Sequence, residues 1–151
     1  MDLPIPPTSD LEIITEMIRQ NGLDPMDYTS LLSMIKESND FMSSLQRMLR
    51  KPFSDDPDGL YHDYQSLLMG RDYLATMYAR AKANYRISKK RFLNEKGTVI
   101  DKESSQDHGC APYSFWEIAL EERIKTLDNR CTAAKQQQRI IEEAMKRNLY
   151  E

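Results

Sequence analysis

The sequence predicts an all-α protein in which three short N-terminal helices precede a long antiparallel helical hairpin, similar to a coiled coil. The 151 residues include only five glycines and seven prolines, which suits long helices with few turns. Apolar residues recur at alternating spacings of three and four over two stretches of similar length, residues 60–93 and 115–150. A repeat of this kind keeps one stripe of a helix facing a partner helix, so the two stretches are expected to pair.

The N-terminal region, residues 1–51, is expected to form the three short helices. Ser9 and Glu12 have the spacing of a capping box, which marks the start of the first helix. Pro25 is typical of the first position of a second helix. A break is expected near Ser38, where polar residues interrupt the apolar pattern, and a third short helix follows it.

An acidic, turn-rich linker, residues 52–59, is expected to separate this region from the hairpin, residues 60–151. Within the hairpin, residues 94–114 are predicted to be a long connection, and a connection of this length in a compact domain usually indicates function or mobility. Ser114 would then cap the second arm of the hairpin.

Pairing the two arms at this connection predicts a register for the seam. Tyr78 would face Cys131, and Lys82 would lie near Asp128 across the seam. Arg71 and Gln138 would share one polar layer, which lowers stability but specifies the register. The predicted seam consists of Leu74, Tyr78, Ala81, Tyr85, Phe92, Trp116, Leu120, Ile124, Leu127, Cys131, Ala134 and Ile141.

The charge is distributed unevenly along the chain. The net charge is −3 overall, but residues 71–96 hold eight basic and two acidic side chains, whereas residues 1–64 hold five basic and twelve acidic ones. Two interpretations of the basic stretch stay open: a solvated face or docking patch for the acidic N-terminal half, and a helix that binds phosphate groups. The residues that would make such contacts are Arg80, Arg86, Lys90, Arg91, Lys96 and Tyr73.

The sequence contains no recognisable catalytic motif. His108 and Cys110 are close in sequence, but a metal site needs three or four ligands, so neither a metal nor a cofactor is expected. The two cysteines, Cys110 and Cys131, do not make a disulfide framework, and a reducing, cytoplasmic location is expected. No apolar run reaches the length of a membrane span.

These observations favour a non-enzymatic interaction or assembly protein that forms a homo-oligomer through its hairpin or binds a protein partner. Apolar residues outside the seam would need another surface to cover them. The alternative is an accessory nucleic-acid-binding protein of the replication or recombination type, in which a multimer displays the basic helix face repeatedly. That alternative is similar in plan to small helical accessory proteins of phage, although no sequence motif carries the likeness.

Overall fold

The computed structural model describes the backbone of residues 9–93 and 99–150 and the side chains of residues 9–91 and 108–148. These residues form four α-helices and one short 3₁₀ helix without any strand, which confirms the predicted all-α class. The two longest helices, α3 and α4, form the helical hairpin. The elements are α1 (Asp10–Gln20), a 3₁₀ helix (Pro25–Tyr28), α2 (Thr29–Arg50), α3 (Pro57–Leu93) and α4 (Val99–Tyr150).

Helix α1 begins and ends as its sequence indicates. The Ser9 hydroxyl accepts a hydrogen bond from the backbone N–H of Glu12 at 3.3 Å, which satisfies one of the helix's unpaired donors. Gly22, with a φ of 64°, follows the helix, and its N–H donates to the carbonyl of Arg19 at 3.2 Å. This left-handed conformation costs glycine little, so the chain turns sharply after α1.

Helix α2 runs for 22 residues without interruption, so the break expected near Ser38 is wrong. The Ser38 side chain is buried, and its hydroxyl donates to the carbonyl of Ile35 at 2.9 Å. The hydroxyl thus has its acceptor within its own helix, an arrangement that a serine inside a continuous helix can adopt. Over residues 9–51 the chain therefore forms three helices, α1, the 3₁₀ helix and α2, and α2 spans the position where two separate short helices were expected.

Helix α3 begins at Pro57, three residues before the expected start of the hairpin at residue 60, so the connection between α2 and α3 is shorter than predicted. The carboxylate of Asp63 holds this connection, because it accepts from the N–H and the hydroxyl of Ser54, both at 3.1 Å. A Cβ at Gly59 would lie 2.8 Å from the Ser54 Cβ, so the close approach of these residues requires glycine.

Helix α4 begins at Val99 and contains Pro112 in its interior, so the long irregular connection predicted for residues 94–114 is wrong. Residues 94–98 lie outside the described part of the chain. Proline cannot donate to the carbonyl four residues earlier, but one neighbouring backbone carbonyl of α4 bonds to a side chain of another element. The hydroxyl of Tyr28 donates to the carbonyl of Gly109 at 2.7 Å. Local sequence rules predict that a helix does not continue through a proline. At Pro112 the helix does continue, and a contact from another element lies beside it.

The chain forms two compact units. The first unit consists of Met1–Met42 and Ala79–Ala119, and the second of Ser43–Tyr78 and Leu120–Glu151. The division falls within α2, α3 and α4, and it does not follow the expected boundary at residues 52–59. Each unit is thus built from a part of α2 and a part of the hairpin.

Each unit has its own buried apolar residues. In the first unit they are Ile14, Ile18, Tyr28, Leu31, Met34, Ile35, Met42, Ala81, Cys110, Pro112, Tyr113 and Trp116. In the second unit they are Leu45, Leu60, Leu67, Leu74, Met77, Leu120, Leu127, Cys131 and Ala134.

Candidate interaction surfaces

The predicted basic surface is divided in the first unit by contacts with α2 and with the 3₁₀ helix. Arg80 forms an ion pair with Glu37 at 3.7 Å. The guanidinium of Arg91 donates to the backbone carbonyl of Asp27 at 3.1 Å. These two arginines occur on the side of α3 that meets α2, since residues eleven apart in a helix share one face. Part of the basic stretch therefore contacts the acidic N-terminal half of the chain.

The remaining members of the predicted basic surface are placed differently. Arg86 and Lys90 are exposed, and they lie one turn apart on a different side of α3 from Arg80. Tyr73 belongs to the second unit and has an exposed fraction of 37%. The side chain of Lys96 lies outside the described residues. Arg86 and Lys90 thus lie on one side of α3, and Arg80 and Arg91 lie on another.

The predicted seam residues whose side chains are described are buried or half-buried, but in the second unit their pairing across the hairpin differs from the prediction. Leu74, Ala81, Trp116, Leu120, Leu127, Cys131 and Ala134 are buried. Tyr78, Tyr85, Ile124 and Ile141 are half-buried, and the side chain of Phe92 lies outside the described residues.

The observed register follows from two contacts in the second unit. Arg71 forms a salt bridge with Asp128, and the ammonium of Lys135 lies 5.7 Å from the ring centroid of Tyr64. Seven residues separate the two positions on each helix, so one antiparallel register accounts for both contacts. The predicted register placed Arg71 opposite Gln138, about ten residues further along α4. The difference arises because α4 begins at Val99, well before the predicted start of the second arm.

Consequently the predicted polar layer does not form. The salt bridge with Asp128 raises the pKa of Arg71, mainly through the hydrogen bond between the two side chains. The side-chain amide of Gln138 donates to Glu142 within α4 at 3.4 Å. The predicted pairing of Lys82 with Asp128 is replaced by the pairing of Asp128 with Arg71. Both partners in this salt bridge are nearly half exposed, so its contribution to stability is small.

Around His108 the structure places helix rather than a polar loop. His108 is exposed, and its Nε2 lies 3.0 Å from the carbonyl of Asn21 at the end of α1. Cys110 is buried. Cys131 is buried as well, and burial raises the pKa of its thiol, so the Cys131 thiol stays protonated. Among the described residues, no group of three or more histidine, cysteine or carboxylate side chains is arranged to hold a metal ion.

An apolar groove in the first unit was not predicted. It lies between the end of α1 and the beginning of α2 and has a volume of about 440 Å³, which is within the usual range of roughly 300–1,000 Å³ for binding pockets. Met26, next to the groove in sequence, has an exposed fraction of 78%. We call this feature the α1–α2 groove; its lining residues are Thr15, Ile18, Arg19, Leu23, Pro25 and Leu32.

The last part of helix α4 in the second unit was also not predicted to be exposed. No residue from 135 to 148 is buried, although Ala134 and three earlier residues of α4 in this unit are. Ile140 and Met145 have exposed fractions of 59% and 53%. Extending the observed register places Pro57, the first residue of α3, level with Glu142. Helix α3 therefore does not extend alongside the last residues of α4. We call residues 135–148 the α4 end.

A smaller cavity of about 270 Å³ lies in the second unit, where α2 leads into α3. Its walls include Phe53 and the carboxylate-bearing Asp63, which is neutralised by Lys51 at 3.4 Å. The guanidinium of Arg130 lies 3.7 Å from the Phe53 ring centroid and donates to the Lys51 carbonyl. These contacts join the connection to α4, which gives the residues around this cavity a structural role.

Comparison of the chain with protein-family models, curated proteins and solved structures finds no match. Among the described residues, no helix has both the length and the apolar composition needed to cross a lipid bilayer.

Proposed function

We propose that this chain is a non-enzymatic helical assembly protein that associates with further copies of itself through apolar residues of its long helices. The observation that carries the proposal is the exposure of the α4 end. Most of the stability of helices in proteins comes from tertiary packing, which this segment has little of, so packing against another surface would stabilise it. Ile140 and Met145 supply apolar area for such packing.

Exposed side chains on α3 in the second unit agree with this function. Tyr61 and Met69 have exposed fractions of 58% and 73%, and they lie eight residues, or about two turns, apart on one side of the helix. Single exposed apolar residues are ordinary on protein surfaces. Several exposed apolar residues on the helices of one unit favour a protein partner over a solvated surface.

The test is the mass of the full chain in solution, measured by light scattering over a wide range of concentration. Association predicts a mass that rises from 17.7 kDa to at least twice that value as the concentration increases. A chain that stays at the monomer mass at every concentration contradicts the proposal.

Nucleic-acid binding is the second candidate function, and the exposure of Arg86 and Lys90 favours it. These cations are one turn apart on α3, a spacing that suits contact with successive phosphate groups. The candidate is weaker because Arg80 already contacts α2 and Arg91 already contacts the 3₁₀ helix. A helix face with few exposed cations gives modest, salt-sensitive affinity.

A further inference from the structure

We propose that the α4 end of one copy docks as a helix into the α1–α2 groove of another copy. This inference rests on the proposed self-association and assigns it two different surfaces. Helices commonly bind other proteins by placing apolar residues at spacings of three and four into a groove. Ile141 and Met145, four residues apart, are the anchors that this arrangement uses.

The two surfaces are complementary in their apolar character. Ile18 forms a buried part of the groove, and Leu23 and Leu32 are half-buried walls that a partner would cover. On the α4 end, Ile141 continues the line of buried residues that includes Ala134. Helix α3 begins near this level, so it covers no residue further along α4. Each surface thus supplies apolar area that the other would remove from water.

The two surfaces also differ in charge. Residues 9–42, which contain the groove, carry seven acidic and two basic side chains, whereas residues 135–148 carry four basic and two acidic ones. Asp24 and Asp27 are exposed on either side of Pro25 in the groove wall, and Glu12 is exposed one turn before Thr15. Opposite charges of this kind select the partner and its orientation more than they add affinity.

Charge argues against the symmetric alternative, in which two α4 ends pair with each other. Both ends would then bring the same net positive charge to the interface, and the α1–α2 groove would stay uncovered. Docking of one surface on a different surface is a heterologous interface, which allows each copy to bind two neighbours. The expected assembly therefore grows with concentration beyond a dimer or closes into a ring.

The first experiment measures binding of a fluorescently labelled peptide of residues 135–150 to the full chain by anisotropy. Leu32→Lys places a positive charge in the groove wall and is expected to weaken binding at least tenfold. Ser33→Lys adds the same charge at the next, exposed position and is the matched control, so it should bind as the wild type does. Thr15→Arg is a second groove variant at an exposed position, which keeps the test valid if Leu32→Lys unfolds.

The second experiment mixes two variants of the full chain. The double variant Ile141→Asn, Met145→Asn keeps the groove but has a weakened α4 end. The variant Thr15→Arg keeps the α4 end but has a weakened groove. Each alone should be monomeric, and an equal mixture should form a 1:1 complex, because one functional interface is restored. The double variant Glu143→Asn, Arg147→Asn keeps the net charge, alters the opposite side of the α4 end, and should assemble as the wild type does.

The outcomes separate this inference from the proposed function. A monomeric wild type contradicts both. A wild type that associates while groove and α4-end variants retain its mass overturns the docking and leaves self-association intact. Loss of association in the α4-end variant alone, without rescue on mixing, assigns the interface to paired α4 ends and overturns the groove. Displacement of the labelled peptide by a peptide of residues 1–8 assigns the groove to the chain's own N-terminal segment, which also overturns it.

Discussion

At the scale of single residues, two tyrosines in the first unit bond to the backbone of other elements. Tyr28 donates to Gly109 in α4, and Tyr113 of α4 donates to the carbonyl of Asp27 at 2.9 Å. Their ring centroids are 5.4 Å apart with the planes tilted by 37°. Each hydroxyl thus satisfies a carbonyl of the other's segment, which ties the 3₁₀ helix to α4 next to Pro112.

The hydroxyl of Tyr28 makes stability depend on pH. Burial raises its pKa above the ordinary value, and the neighbouring Tyr113 and Asp27 raise it further. Up to pH ~10 this tyrosine is neutral in both the folded and the unfolded chain. Above that pH the unfolded chain loses the proton first, so the free energy of unfolding decreases as the pH rises.

The prediction is tested by urea unfolding between pH 8 and 11. Tyr28→Phe should lower the free energy of unfolding by about 1–2 kcal/mol at neutral pH, because a buried carbonyl loses its donor. The variant should also lose stability less steeply than the wild type above pH ~10. Tyr61→Phe, at a position 58% exposed, is the control and should keep the wild-type slope. Equal slopes for Tyr28→Phe and the wild type would contradict the assignment.

At the scale of helices, a capping pattern marks a helix start only where the helix does not extend further in the N-terminal direction. Ser9 caps α1, whereas Ser114, with the same spacing to a glutamate, lies inside α4. Ser9→Ala should therefore lower the free energy of unfolding by about 1 kcal/mol. Ser114→Ala should change it by less than about 0.5 kcal/mol, because no helix begins there. Equal losses in the two variants, measured by urea unfolding, would place a helix start at Ser114 after all.

The register of the hairpin in the second unit has an equally direct test. Leu67 lies midway between Tyr64 and Arg71, and Cys131 lies midway between Asp128 and Lys135. In a Cys110→Ser background, Leu67→Cys should therefore form a disulfide with Cys131 under mild oxidation.

A disulfide requires Cα atoms within about 7 Å, so this cross-link reports the register. Tyr78→Cys in the same background is the comparison variant, since the sequence-based register pairs Tyr78 with Cys131. A bond at position 78 and none at position 67, detected by mass spectrometry after proteolysis, would restore the sequence-based register.

At the scale of the whole molecule, the unequal distribution of charge is partly satisfied within the chain. Arg80 and Arg91 of the basic stretch contact Glu37 and the Asp27 carbonyl. We therefore expect no measurable binding to duplex DNA or to single-stranded RNA at physiological salt. Binding measured by fluorescence anisotropy against salt concentration tests this expectation.

Charge reversal distinguishes the two candidate functions. A nucleic-acid-binding protein would lose affinity steeply with salt, and each of Arg86→Glu and Lys90→Glu would reduce the slope by about 0.9 for duplex DNA. Lys36→Glu, at an exposed position on α2, is the control for the same change in net charge. Binding with those losses, and without loss in the control, would favour the nucleic-acid function over assembly alone.

The helical class, the two arms of the hairpin and the inward-facing sides of those arms follow from the sequence by itself. Apolar spacing specifies which side of a helix is buried, because the helical repeat is a local property of the backbone. Ser9 and Gly22 mark the start and end of α1 for the same reason, since caps act on their own helix.

The tertiary structure alone decided the register, the start of α4 and the exposed surfaces. Spacing repeats along each arm, so it fits several antiparallel alignments equally well, and the choice depended on where α4 begins. That start depended in turn on Pro112, which local rules treat as a stop and which lies in the helix beside bonds from distant residues such as Tyr28. The α1–α2 groove and the α4 end arise where packed helices stop covering one another, which no local pattern specifies.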